Sequence, residues 1–118
     1  MKAILAAILA VLPAIATAET LCEPSGATSL PPIVGSAYPD ARGALIRSGW
    51  QPDTKLRRSD YSAAEEWAAN AGYSELATCA GTGTAPCRFE YTSSGARLAV
   101  VTEGEDSPVV SRLFFVCD

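Results

Sequence analysis

Histidine is absent from these 118 residues. That removes the side chain most often used to move protons near neutral pH, and it removes imidazole as a metal ligand. Positive charge is also scarce, with 9 Lys and Arg against 13 Asp and Glu and a net charge of −4. Phosphate backbones are held by clustered Lys and Arg, so nucleic acid is excluded as a partner class. The one basic cluster, Lys55 to Arg58 ("KLRR"), reads as a solvated connecting segment. Internal repeats and low-complexity linkers are lacking as well, which leaves no composition break at which to divide the chain.

Long apolar runs are missing except at the start. Met1-Lys2 leads into "AILAAILAVLPAIA", followed by small residues up to Ala18 before Glu19. This order of charge, apolar stretch and small-residue site is that of a secretory signal peptide, residues 1–18, with cleavage after Ala18. A membrane anchor needs an apolar stretch of ~20 residues, and this one is shorter and broken by Pro13. No small-residue lipobox directly precedes Cys22. Residues 19–118 are then expected to form a single small α+β domain, periplasmic or secreted, with no stable membrane insertion after signal cleavage.

Four cysteines in an oxidising compartment point to disulfides. Of the three pairings possible, Cys79–Cys87 with Cys22–Cys117 is favoured: one closes a short Gly-containing loop, and the other ties the ends of the mature chain. The alternatives for "CAGTGTAPC" are weaker. A redox catalyst would normally use Cys-x-x-Cys at a helix start. Zinc needs four ligands. A phosphate cradle needs a following helix, whereas Pro86 and a strand-like run follow here.

The remainder reads as helices first and strands afterwards. Pro39 and Asp40 suit a first helical turn, Ala41, Ala44, Leu45 and Ser48 recur at helical spacing, and Gly49 is placed for a left-handed cap. Trp50 opens an extended segment limited by Pro52. Ser62-x-x-Glu65 forms a capping box for a second helix with Ala64, Trp67, Ala68 and Ala71 on one side, Glu65, Glu66 and Asn70 elsewhere, and Gly72 at its end. Cys87, Phe89 and Tyr91 alternate with Arg88, Glu90 and Thr92 as a half-buried strand does. After the "SSG" turn, Leu98 and Val100 share a face of the next strand. Val109 to Cys117 is apolar on both faces and reads as a central, doubly covered strand. The expected fold is two short helices packed on a small antiparallel sheet of three to four strands, stapled by disulfides.

Two resemblances follow from these stretches. Leu30 to Pro52 resembles the opening of a PASTA domain in its Pro-x-Val-Gly, Ala-x-x-x-Leu and Gly-x-x-Pro pattern, and that family is associated with cell-wall muropeptides and penicillin-binding proteins. The rest of the chain departs from it. Arg42, Leu45, Ile46, Gly49, Trp50 and Pro52, with Cys79, Gly81, Thr82, Gly83 and Cys87, resemble small exported bacterial proteins of uncharacterised function that share a Gly-Trp-x-Pro helix exit and a Cys-x-Gly-Thr-Gly-x-x-x-Cys loop. This likeness implies export and brings no activity.

For catalysis the sequence offers carboxylates (Glu75, Glu90, Glu103, Glu105 and Asp106) and hydroxyls without an evident base. Glu103, Glu105 and Asp106 lack the spacing of a calcium loop and read as a solvated acidic turn. A non-catalytic binding or envelope accessory module that uses no cofactor or metal is the expected role, its partner an envelope protein or cell-wall material. Inhibition of a cell-wall or periplasmic enzyme is one alternative, and a small hydrolase using carboxylates is another. Candidate contact residues are Tyr38, Trp50, Tyr61 and Tyr73, since aromatics concentrate binding energy, with Thr82 and Thr84 in the cysteine loop. For Trp50, as for Trp67, the favoured reading is core packing in the groove between helix and sheet.

Overall fold

The structure is a computed structural model that describes residues 29–116. The expected signal segment and the Cys22–Cys117 pairing lie outside the described residues.

Helix α1 spans Tyr38–Arg47. Its start carries Pro39 and Asp40, which cost no hydrogen bond and face the helix dipole favourably. It ends at Ser48, after which Gly49 adopts φ 102° and Trp50 N–H donates back to the Leu45 carbonyl at 3.0 Å. Strand β1, Gln51–Pro52, follows. The capping box at Ser62 and Glu65 forms as the sequence requires. It opens a single 3-10 turn, Ala63–Glu65, that continues into a short helix α2, Glu66–Asn70.

The sheet is antiparallel and five-stranded. Strands β3 (Cys87–Ser93), β4 (Ala96–Glu103) and β5 (Val109–Phe115) are successive neighbours. On the far side of β3 lie β1, opposite Tyr91 and Thr92, and β2 (Leu76–Cys79), opposite Cys87 to Phe89. The sheet therefore exceeds the expected three to four strands, because two short segments share one edge of β3. Between β3 and β4, Ser94 and Gly95 take φ of 50° and 85°, the paired left-handed conformation that matches hairpin twist.

Phe89, Tyr91, Leu98 and Val100 share the helix-covered face and are fully buried, while Glu90, Ala99 and Val101 on the opposite face are buried too, so the two strands are covered more than a half-buried alternation predicts. The last strand corrects its sequence reading. β5 is terminal in the sheet, not central, and part of its edge is occupied by the chain before α1, with Gly35 N–H donating to Val110 O at 2.8 Å and Val110 N–H to Ser36 O at 2.9 Å. Its apolar residues on two faces have different fates: Leu113 and Phe115 pack toward the core, while Arg112 and Phe114 belong to the opposite face.

The core lies between α1, α2 and the sheet. Tyr38 stacks on Phe89 with ring centroids 3.9 Å apart, and Trp67 and Tyr73 meet Tyr38 edge-on. Trp50 has no exposed surface, and its indole N–H is satisfied by the Ser29 carbonyl at 3.1 Å.

Candidate functional site

Cys79 and Cys87 face each other across the β2–β3 register and are joined as a disulfide with a Cα separation of 4.0 Å. The loop they enclose is fixed at two further points. Ala80 N–H donates to Pro86 O at 2.8 Å, and Gly104 N–H, from the acidic turn, donates to Thr84 O at 2.8 Å. Inside the loop, Ala85 N–H closes a turn onto Thr82 O at 3.1 Å. Gly83 and Ala85 both have positive φ, 65° and 54°; for alanine that conformation costs of order 1 kcal/mol. Residues 80–84 are nonetheless exposed, so a rigid backbone presents Thr82 and Thr84 to solvent.

Beside the loop is a cleft of about 440 Å³. Ala63, Ala64 and Trp67 form one wall, Gly81 and Ala85 another, and Glu105 and Asp106 a third. Small residues on two walls keep it open. Close by in the sheet, opposite Cys87, the buried Thr102 hydroxyl has no hydrogen-bond partner among the described residues. No group of three or more His, Cys, Asp or Glu among the described residues is arranged to hold a metal ion.

The structure takes two of the candidate contact residues out of reach. Tyr38 and Trp50 are completely buried, because both seal the packing of α1 and its exit on the sheet; Tyr38 as a partner contact is corrected to core, and Trp50 takes the core place that its favoured reading gave it. Tyr73 is half-buried, packed against Tyr38 and Trp67 and covered by the Arg42 guanidinium 4.9 Å from its ring. Tyr61 is half-buried beneath Arg58, 5.0 Å from its ring. Thr82 and Thr84 are exposed in the braced loop.

The acidic side chains divide in the same way. Glu75 is fully buried. It accepts from Arg42 Nε and from the Tyr38 hydroxyl, both at 2.7 Å, and Tyr38 also hydrogen-bonds the Tyr91 hydroxyl. Burial, and then the nearby charges of Tyr91 and Glu75, push the Tyr38 phenol well above its ordinary value. Burial also raises Tyr91, reinforced by Glu75 and opposed by its hydrogen bond with Tyr38 and by Arg42. The hydrogen bond that Arg42 donates to Glu75 raises the guanidinium above its ordinary value despite that side chain's partial burial. Glu90, with its side chain 8% exposed, is held by Arg88 and Arg97, each at 2.9 Å. A general base has to reach its substrate, and Glu75 does not.

Glu65 departs from the sequence reading, which set it away from the packed side of α2. It is 5% exposed and accepts from Ser62 N–H at 2.9 Å, from Cys79 N–H at 3.1 Å and from the Arg58 guanidinium. Burial alone would raise its carboxyl, but the two backbone donors and Arg58 together carry it below the ordinary value. Arg58 is accordingly no idle member of a solvated basic segment: it also donates to the Ala77 carbonyl at 3.0 Å. The capping-box pattern was the only local signal for Glu65. Arg42 and Glu75, 33 positions apart, have no signal in the sequence.

No family model, curated protein or solved structure matches this chain. The functional reading therefore rests on the geometry of the loop and cleft and on the sequence.

Proposed function

We propose that the chain is a small exported binding module without catalytic activity, which docks to an envelope protein or to cell-wall material through the 80–86 loop and the adjoining cleft. One observation carries this reading: the loop is tied by a disulfide at its base and by Gly104 N–H at its flank, while residues 80–84 remain exposed. Preorganisation of this kind lowers the ordering cost of association. The inventory favours binding over chemistry. Thr82 and Thr84 have no carboxylate or imidazole hydrogen-bonded to them among the described residues, and the carboxylates nearest the cleft, Glu105 and Asp106, lie on an exposed turn. The signal-like N-terminus and the likeness to small exported proteins support the compartment. Inhibition of an envelope enzyme is the specific form of this role in which the loop enters the enzyme's own cleft.

The test is recovery of the tagged full chain from the envelope fraction under native conditions, with and without Thr82→Glu and Thr84→Glu. The wild type is expected to retain a protein or glycan that the double variant loses. Identical recovery from both would move the contact surface away from the loop.

A further inference from the structure

Among the described residues, the helices cover one face of the sheet and none packs on the other, which is covered by its own long side chains. On that second face the cross-strand register sets two rows side by side: Arg88–Val101–Arg112, and Glu90–Ala99–Phe114. The middle strand contributes only small floor residues, so the long arms from its neighbours lie across them. Both Arg88 and Arg112 reach the Phe114 ring, 5.4 and 5.0 Å from its centroid. Together with Thr78 and Pro86 they line a groove of about 270 Å³. Arg88 is partly engaged, its Nε donating to Glu90 at 2.9 Å. Arg112 is exposed and forms no ion pair among the described residues.

We propose that this groove takes a carboxylate of an acidic polypeptide segment laid across the second face, a site apart from the cleft that adjoins the base of the loop at Ala80 and Pro86. A guanidinium that stacks by its face keeps its N–H edge free, and that planar edge matches a carboxylate with two parallel hydrogen bonds. Stacking on Phe114 also holds the arms in place before a ligand arrives, which reduces the entropy lost on binding. Charge sets the partner's size. Glu90 already offsets part of the arginine charge, and Glu103, the next outward position on β4, is exposed near the end of the strand. The chain as a whole carries −4, so an extended polyanion such as nucleic acid or an anionic membrane is repelled over most of its length. A short acidic segment meets only the local positive groove.

The experiment titrates the full chain with a fluorescein-labelled hexaglutamate peptide, read by anisotropy at low and at physiological salt. Binding is expected, weakened by roughly tenfold in Arg112→Gln, the loss of a charge-assisted pair, and unchanged in Arg47→Gln, an exposed cation on α1. Amide shifts in the wild type are expected to concentrate at Thr78, Val101 and Phe114, a readout that needs no substitution. Absence of binding overturns the proposal. So does equal weakening by Arg47→Gln, which would mark a general charge effect, or shifts confined to other elements. Inorganic phosphate or phosphatidylglycerol vesicles binding in place of the peptide would reassign the groove to phosphate and overturn it as well.

Discussion

Glu75 shows how one buried carboxylate organises a neighbourhood. It has no contact with solvent, and Arg42 and the Tyr38 hydroxyl supply the hydrogen bonds that make its burial tolerable. Removing it strands a guanidinium whose side chain is only 27% exposed and two buried phenols. Glu75→Ala is therefore expected to lower stability by about 3 kcal/mol, measured as a shift in urea midpoint; a neutral result would show that water replaces the carboxylate. The phenols carry their own pH signature. Both Tyr38 and Tyr91 are raised above 10.0 in the folded chain, so folding favours their protonated forms. The stability linked to them is complete below that pH and is lost as pH rises beyond it. Alkaline titration should show Tyr38 and Tyr91 ionising late, together with loss of near-UV dichroism. Early ionisation of these two in a folded protein would contradict the buried network.

At the scale of elements, α2 is too short to persist alone, and its start is held by Glu65. That carboxyl joins the first turn to Arg58 and to the Cys79 amide at the end of β2. Its folded-state value lies below 4.5, so its contribution is present above that pH and disappears as pH falls through the folded value. Glu65→Gln is expected to cost about 2 kcal/mol near neutrality and to flatten the acid limb of the stability profile; an unchanged acid limb would place the acid sensitivity elsewhere. The exit of α1 makes a sharper case. Gly49 at φ 102° occupies a conformation that penalises a β-carbon, and Gly49→Ala is expected to cost about 1 kcal/mol in denaturant melts. A stabilising effect would mean the helix can run on through position 49.

For the whole molecule the question is what the Cys79–Cys87 bond contributes beyond shape. It closes a loop of low sequence separation, 8 positions, for which loop entropy alone is worth ~2 to 3 kcal/mol. The β2–β3 register on either side of it is also held by main-chain pairing. Replacing Cys79 and Cys87 by Ala together should therefore lower the melting temperature while preserving far-UV dichroism, and should weaken partner retention through the loosened loop. Global unfolding would make the bridge a core element, and unchanged retention would separate the loop from binding.

Several features are legible in the amino-acid sequence because they depend on local chemistry. The Pro39-Asp40 start, the Gly49 exit, the Ser62–Glu65 box and the alternation of Cys87, Phe89 and Tyr91 each involve residues within a few positions, and backbone sterics or a two-residue period decides them. The cysteine pair around the loop is legible for the same reason. What the sequence left open depended on distant partners. A run apolar on both faces is compatible with a central or an edge strand, and β5 became an edge because β1 and β2 fill the other side of β3. Whether Tyr38 and Trp50 faced a partner or the core was settled only when α1 docked on the sheet. Likewise the Arg42–Glu75 pair, and the two arginines meeting over Phe114, exist because the tertiary fold brings together residues that no local pattern connects.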